Sequence, residues 1–302
     1  MKQSSQAEKG SLMGERFDVL VRRLTDFWGL YKGSWIGMLG LLIVIGFVIM
    51  AVIAPLITPY DPRALVGKPF QPPMDEHPLG TDQVGRDIYS QLVWGSRVSL
   101  MVGLLASAFG VAIGTIIGLV AGYFRGPSDS ILMRITDLFI TLPGLPLMLI
   151  LAALLGRSMW NIIFVIAVTG WTSTARMVRS QTLSIKERPY VEAARSVGAR
   201  GRHIITRHIL PNVFPLVFAN AIVGIVDAIL AESGLSFLGL GDPTKPSWGQ
   251  LLRYANEAGA LATGRWWFII PPGLCIMLVV IGFAFSSYSL DQILNPRLRK
   301  RR

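Results

Sequence analysis

Long apolar runs constrain this chain more than any other feature of its sequence. The first, residues 35–57, contains no charged residue and is long enough as a helix to cross the hydrocarbon core of a bilayer, which needs about 20 apolar residues. Six runs are predicted as spans: residues 35–57, 98–123, 131–155, 159–175, 211–231 and 266–290. The sequence therefore predicts an all-α integral membrane protein with six transmembrane helices.

The composition agrees with a membrane location and argues against a soluble nucleic-acid binder. Hydrophobic residues make up 52% of the 302 residues and charged residues only 16%, against roughly 25% charged residues in a typical soluble domain. The net charge of +11 would suit nucleic acid, but such proteins carry their Lys and Arg on a mostly polar scaffold. Here the basic residues lie between apolar runs, so membrane lipid is an expected partner and nucleic acid is not.

The single cysteine argues against a disulfide or metal site, and the N-terminal segment argues against a cleaved signal peptide. Cys275 lies inside the last apolar run, closes no disulfide within the chain and has no metal-ligand spacing, so it is expected to be a packing residue. The N-terminal segment is polar for about thirty residues and lacks the apolar core and cleavage site of a signal peptide. We therefore expect the first apolar run to be a retained anchor.

The distribution of Lys and Arg predicts the orientation. An even number of spans places both termini on one side of the membrane. Lys and Arg are abundant in the N-terminal tail, in the C-terminal tail and in the connection 176–208. Because cytoplasmic loops carry the excess of Lys and Arg, we expect a multi-pass protein of the cytoplasmic (inner) membrane with both termini in the cytoplasm.

Small residues recur at every fourth position of the second run. A helix places such residues on one narrow stripe, which allows the backbone of another helix to approach closely. The alternative is that membrane helices are simply rich in glycine. The five positions favour close helix packing: Ala106, Gly110, Gly114, Gly118 and Gly122.

The connection 176–208 is too long and too patterned for a simple turn. Pro189 suits the first turn of a new helix, and Glu192 then lies near the positive end of the helix dipole. Gly198 is placed to end that helix with a left-handed cap, and Pro211 opens the next span. The sequence predicts a short helix held between two spans. Taken alone, the segment could also rest on anionic lipid as a basic amphipathic loop.

This connection resembles the EAA loop of ABC import permeases. The matching residues are Glu192-Ala193-Ala194, then Gly198, then Leu210-Pro211. The resemblance implies a coupling helix that docks on an ATPase subunit through Tyr190, Glu192, Ala193, Ala194, Arg195 and Gly198. His208 departs from the general pattern, which has an aliphatic residue, but peptide-type permeases often read His-X-Leu-Pro-Asn here, as does 208–212.

A second resemblance covers the chain from the first span to its end. The motifs are similar to those of the dipeptide and oligopeptide (peptide/nickel) permease family, C-type subunit. They are His77-Pro78-Leu79-Gly80-Thr81-Asp82, Gly85-Arg86-Asp87, Ser96-Arg97-Val98-Ser99-Leu100, the run 231–241, Pro246-Ser247-Trp248-Gly249 and Asn295-Pro296-Arg297-Leu298.

The two resemblances imply the fold, the partners and the division of the chain. They imply the type I ABC importer permease fold, with a tail, first helix and external loop in residues 1–97 and a permease core in 98–302. The implied partners are a homologous B-type permease, two ATP-binding subunits and an extracytoplasmic substrate-binding protein. The implied function is translocation of di- or oligopeptides, although related permeases serve oligosaccharides or nickel complexes, and a homodimeric permease pair remains open.

Charged residues occur within two of the predicted spans. Asp227 is the one acid deep in a well-defined predicted span, where an ionised group is costly, so it is expected to face protein or water. It either lines the translocation pathway, where a peptide amino group would meet it, or hydrogen-bonds a neighbouring helix. Arg134 and Asp137 are three residues apart and are expected to form an interfacial salt bridge on one helix face.

The sequence contains no recognisable enzyme active site or cofactor site. Gly67-Lys68 is followed by proline rather than Ser or Thr, so no Walker A motif is present. Neither a His-Glu-x-x-His motif nor a nucleophile elbow is found, which argues against a membrane-embedded enzyme. The acids and His77 in residues 75–87 match no zinc or calcium spacing, so no metal is expected; a loop that meets the binding protein is the preferred interpretation. A self-contained secondary transporter would need intramembrane relays or an internal repeat, and neither is evident.

Overall fold

The structure is a computed structural model that describes Thr25 and residues 28–294. Within those residues all regular secondary structure is helical, apart from one antiparallel bridge between Thr81 and Asp87. The helices are α1 (Trp35–Ile57), α2 (Ile88–Phe124), α3 (Gly126–Thr141), α4 (Gly144–Leu155), α5 (Met159–Gly170), α6 (Thr172–Lys186), α7 (Pro189–Ser196), α8 (Gly201–Ile204), a π-helical turn (Ile205–Ile209), α9 (Leu210–Phe237), α10 (Trp248–Glu257) and α11 (Trp266–Leu294). The predicted all-α class is confirmed.

The membrane spans comprise straight helices and bent pairs. Four helices are each long and apolar enough to cross a membrane: α1, α2, the run Gly201–Phe237 that ends with α9, and α11. Two bent pairs, α3 with α4 and α5 with α6, each count as one more if the pair is a single broken span. The described residues thus hold up to six spans, the number predicted.

The third predicted span, residues 131–155, is not one straight helix. The axes of α3 and α4 meet at 93°, where Leu142 has an extended backbone with ψ 137° and Pro143 follows. A residue before proline is disfavoured in the helical conformation, and proline offers no N–H to continue the helix. The apolar composition predicted a span here, but the proline breaks it into two helices.

Helix α2 lies at the centre of the bundle, and its stripe of small residues packs against α6. A Cβ atom added at Gly118 would lie 2.6 Å from the carbonyl oxygen of Ala175. Cβ atoms added at Gly114 and Gly122 would meet atoms of the Trp171–Thr182 segment just as closely. The prediction of close helix packing along this stripe is confirmed, and α6 therefore runs alongside α2 with its backbone almost in contact.

Helix α1 packs mainly on α11, also contacts α2, and leaves its outer side open. A Cβ added at Gly40 of α1 would lie 2.6 Å from the carbonyl oxygen of Gly282, which shows how close the two backbones are. Cys275 packs on the buried cluster between α2, α9, α10 and α11, as expected of a packing residue. The outer side of α1 exposes Leu39, Leu42, Ile45, Val48, Ile49, Val52 and Leu56.

The connection 58–87 folds over one end of the bundle, which we call the α10 end. His77 Nδ1 lies 3.0 Å from the carboxylate of Asp87, and both side chains are buried. The same carboxylate accepts the Ser90 N–H at 2.7 Å and so caps α2. Asp82 accepts the N–H groups of Val84 and Arg86 at 2.9 Å. Among the described residues no three His, Cys, Asp or Glu side chains are placed to hold a metal ion.

Candidate coupling helix and membrane face

The segment predicted as a coupling helix forms α7 with the expected boundaries. Arg188 is extended with ψ 142°, Pro189 takes the first helical position, and Glu192 lies in the first turn. Gly198 has φ 84°, a conformation that favours glycine. Its N–H donates to the Arg195 carbonyl at 3.0 Å, and the Ala199 N–H donates to the Ala194 carbonyl at 3.1 Å. This pair of bonds is the Schellman cap, which satisfies the last carbonyl groups of the helix.

Helix α7 is anchored by one buried side chain, and most of the rest of its surface is exposed. Val191 is completely buried and packs in a cluster with Ile204 and Val213. Glu192, Ala193, Arg195 and Gly198 are exposed, Ala194 is half-buried, and Tyr190 is exposed to 41%. Val197, at the end of the helix, is exposed to 85%. The exposed surface of α7 thus combines the charged side chains of Glu192 and Arg195 with the apolar side chain of Val197.

A compact ring cluster connects α7 to the start of α9. The rings of Tyr190 and His208 have centroids 6.2 Å apart, and those of His203 and His208 are 5.9 Å apart. His208 lies in the π-helical turn that leads directly into α9. Turns of this kind are rare and occur often at functional sites. A displacement of α7 would therefore reach α9 through the Val191 cluster and through these rings.

Ion pairs bind the helices around α7 to one another. Asp129 of α3 accepts two hydrogen bonds from the Arg179 guanidinium of α6, at 2.5 and 2.6 Å. Asp137 pairs with Arg176 of α6 at 2.5 Å, so the predicted Arg134–Asp137 bridge within α3 is not formed. The physical reason is that α3 packs against α6 and brings a guanidinium to Asp137, which the spacing along one helix could not reveal.

Asp227 lies on a face of α9 that points out of the chain. The side chain is exposed, as are those of Val223 and Leu230 on the same face. Within the described residues Asp227 has no hydrogen bond or ion pair of its own. Two turns earlier on this face, Asn220 donates to the Thr174 hydroxyl at 2.8 Å. We call the exposed surface around Val223, Asp227 and Leu230 the Asp227 face. An acid without a partner at this depth would be costly against lipid, which favours contact with water or protein.

Sequence reasoning missed the role of Glu232, an acid that the fold buries almost completely. Glu232 is exposed to only 1%. Its two oxygens accept the hydroxyls of Ser236, at 2.7 Å, and of Ser99 on α2, at 3.2 Å. The Ser99 oxygen also accepts the Trp248 N–H at 3.4 Å, at the start of α10. Glu232 thus joins α2, α9 and α10. The i, i+4 spacing of Glu232 and Ser236 was the only signal in the sequence.

A second carboxylate orders the connection between α9 and α10. Burial raises the pKa of Asp242, but hydrogen bonds from Thr244 and Met159 outweigh that effect and hold the pKa below the usual value of an aspartate. The Thr244 hydroxyl and N–H donate to Asp242 at 2.6 and 2.9 Å, and the Met159 N–H donates at 3.3 Å. The ionised form therefore ties this connection to the start of α5.

Comparison with known proteins identifies the family to which the chain belongs. Residues 114–300 match the family described as binding-protein-dependent transport system inner membrane component. Residues 23–73 match the N-terminal transmembrane domain of oligopeptide transport permease C. The matches together include α1 and every helix from α3 to α11, with the end of α2.

Similar curated proteins and one solved structure agree with these matches. The dipeptide transport system permease protein DppC of Bacillus subtilis is 37% identical over 91% of this chain and 86% of its own length. The oligopeptide transport system permease protein OppC of the same organism is 33% identical over 89% and 88%. A glutathione transport system permease protein, GsiD of Pectobacterium atrosepticum, is 35% identical over 91% of both.

The solved structure supports the fold alone. An inward-facing conformation of the MetNI methionine ABC transporter superposes with a TM-score of 0.53 at 20% identity, covering 68% of this chain and 94% of that one. The predicted importer fold is thus confirmed, as is the resemblance in the motifs. The chain therefore belongs to the family of binding-protein-dependent transport system inner membrane components and is a non-catalytic, multi-pass permease subunit of an ABC importer.

Proposed function

We propose that this permease subunit carries di- or oligopeptides across the cytoplasmic membrane. The names of the similar DppC, OppC and GsiD proteins support peptides as the substrate class. Its partners in this proposal are a homologous B-type permease, two ATP-binding subunits and an extracytoplasmic substrate-binding protein. The observation that carries the proposal is α7, which is anchored by one buried valine and otherwise presented outward.

In this proposal α7 is the surface through which ATP hydrolysis moves the subunit. Tyr190, Glu192, Ala193, Ala194, Arg195 and Gly198 dock on an ATP-binding subunit. The small side chains of the two alanines keep the docking surface flat, and the cap at Gly198 fixes the end of the helix. Because α7 is joined to α9 by a short, packed connection, movement of α7 tilts α9 rather than dissipating in a loop.

The orientation follows from the same assignment. The α7 end of the bundle lies in the cytoplasm together with both termini, and the connection 58–87 and α10 lie outside. The ion pairs between α3 and α6 and between Arg125 and Glu187 lie at the cytoplasmic end. This arrangement places most Lys and Arg residues of the connections on the cytoplasmic side, as the positive-inside rule requires.

Asp227 is proposed to line the translocation pathway. It lies on the α9 face that the chain leaves uncovered, between α7 at one end and Glu232 at the other. A second permease subunit that faced this surface would enclose a water-filled space between the two subunits. The carboxylate can then pair with the positive amino terminus of a peptide, which a partner-free acid facing lipid could not do.

ATP-driven uptake of a labelled peptide by vesicles that hold the assembled complex tests the proposal. Glu192→Lys reverses a charge at the centre of the docking surface, and Gly198→Val places a branched side chain at φ 84°, so both are expected to abolish uptake and release the ATP-binding subunits. Asp227→Asn is expected to lower uptake while the ATP-binding subunits stay bound. Asp291→Lys reverses the charge of an exposed acid of α11, outside the proposed docking surface, and is the matched control for Glu192→Lys.

Two results would contradict separate parts of this proposal. Normal uptake by both α7 variants would show that energy enters elsewhere. An intact complex that hydrolyses ATP but takes up no peptide would leave the coupling role in place and exclude peptides as the substrate class.

A further inference from the structure

An apolar groove of about 270 Å³ opens between three spans at the α7 end of the bundle. It is lined by Leu41 and Val44 of α1, Phe218 and Ile222 of α9, and Phe283 and Leu290 of α11. Trp28 and Tyr31, which precede α1, close the end of the groove. The lining residues of α1, α9 and α11 all lie in the half of their helix nearest α7. The groove therefore occupies one leaflet of the membrane.

The walls of the groove call for an apolar ligand. The Tyr31 hydroxyl donates to the Gly37 carbonyl at 3.0 Å. Ser286 is the other hydroxyl residue in the lining, and it donates to the Gly282 carbonyl of its own helix at 2.9 Å. Hydroxyls that already donate to buried carbonyl groups do not require a polar ligand. A flexible hydrocarbon chain fits a groove with such walls.

The surroundings of the groove identify the source of that chain. Helix α1 forms one wall, and its outer side exposes a nearly continuous apolar surface, with Leu42 exposed to 69%. Only 11% of the most apolar part of α1 is buried in the chain. In a membrane protein such a helix faces lipid. The groove therefore opens beside hydrocarbon tails and not beside water.

A cation stands beside the aromatic end of the groove. Lys32 is exposed, and its Nζ lies 5.3 Å from the centre of the Trp28 ring, which itself stacks on Tyr31 at 6.0 Å. Trp and Tyr are enriched at the level of the headgroups, where basic side chains at helix ends meet phosphate groups. Asp291, exposed next to Leu290, disfavours a headgroup with further negative charge.

From these observations we infer that the groove between α1, α9 and α11 binds one phospholipid, with an acyl chain against Val44 and Ile222 and its phosphate at Lys32. This lipid is distinct from the lipids that coat α1, because it is held by three helices rather than one. The inference is independent of which substrate the subunit transports. It requires only that the chain lies in a membrane.

Photo-crosslinking in vesicles of phosphatidylethanolamine and phosphatidylglycerol tests the site in the assembled complex. The probe is a phospholipid with a diazirine in one acyl chain. After proteolysis, the fragments of the permease that carry the probe are identified by mass spectrometry. Val44→Trp fills the groove from α1, and Leu42→Trp adds the same side chain to the open side of the same helix as the control. Each lost methylene contact lowers the binding constant by a factor of about four, so labelling of α9 around Ile222 should fall at least about tenfold in Val44→Trp.

Two further variants distinguish loss of the lipid site from misfolding of Val44→Trp. Ile222→Trp fills the groove from the opposite wall and should reduce labelling of α11 in the same way. Lys32→Glu leaves the groove open but should lower the amount of phospholipid that stays bound through detergent washing, as counted by native mass spectrometry. All variants are compared by thermal unfolding in detergent.

Labelling of α9 and α11 that is unchanged by both groove-filling variants would overturn the inference and show only the general lipid coat. Probe adducts on the other permease subunit, with none on α9 or α11, would also overturn it and show that the lipid does not enter the groove. Loss of labelling in Val44→Trp and Ile222→Trp, with Leu42→Trp like the native protein, would support it.

Discussion

Gly118→Ala is expected to destabilise the protein by forcing α2 and α6 apart. The added methyl group would lie 2.6 Å from the Ala175 oxygen, 2.7 Å from the Val178 Cβ and 2.9 Å from the Arg179 nitrogen. All three atoms belong to the backbone or are fixed directly to it, so no side-chain rotation relieves the contact. The helices would have to separate by about 0.8 Å to restore ordinary van der Waals distance.

The expected loss is about 1 to 2 kcal/mol in the free energy of unfolding. Overpacking typically costs about 1 to 3 kcal/mol, and the better helix propensity of alanine returns up to about 1 kcal/mol. Gly46→Ala is the matched control, because a Cβ at Gly46 of α1 meets nothing within 4 Å and the same substitution there should be neutral or stabilising.

Thermal unfolding of the purified protein in detergent measures both variants under the same conditions. The midpoint for Gly118→Ala should fall below that of the native protein, and the midpoint for Gly46→Ala should not. Equal stability of the two variants would refute the argument, since it would mean that the stripe on α2 tolerates a side chain and that α2 and α6 are not in backbone contact.

Three further predictions concern Glu232, Val191 and Asp242. Glu232→Ala should lower stability by about 1 to 3 kcal/mol because buried hydroxyls lose their acceptor, whereas Glu232→Gln should cost less; thermal unfolding compares them, and equal losses would count against a hydrogen-bonding role. Val191→Ala should speed hydrogen exchange in α7 through the cavity it leaves, while the exposed Val197→Ala should not; similar exchange in both would contradict the anchor. Asp242 has a lowered pKa in the folded protein, so its stabilising effect is present above the ordinary aspartate pKa and is lost as the pH falls through the folded pKa. The difference in the free energy of unfolding between the native protein and Asp242→Asn should therefore shrink over that pH range. A difference that stays constant with pH would exclude this linkage.

The two ends of α9 are tied to different parts of the subunit. At its start, Val213 packs with Val191 beneath α7. At its end, Glu232 and Ser236 join α2 and the beginning of α10. A single continuous helix thus connects the proposed docking surface to the opposite end of the bundle, with Asp227 between them. This continuity supplies a mechanical link that needs no chemistry in the permease itself.

The sequence by itself determined the features that depend on local composition and spacing. Long apolar runs specified spans because an ionised side chain is costly in hydrocarbon, so a segment that crosses lipid is mostly apolar. Pro189, Glu192 and Gly198 specified the start, the dipole and the cap of α7, each of which involves neighbours within a few residues. The motifs of the importer permeases could be recognised for the same reason, since each is a short continuous segment.

Only the tertiary structure decided which side chains meet across helices. Asp137 was expected to pair along its own helix but meets Arg176 of α6, and the apolar run 131–155 conceals a 93° bend. The burial of Glu232 and the groove beside Val44 each require three helices that are distant in sequence. Spacing along one chain fixes which residues share a helix face, but the partner of that face depends on packing angles and on contacts between remote segments, and these arise only when the whole bundle assembles.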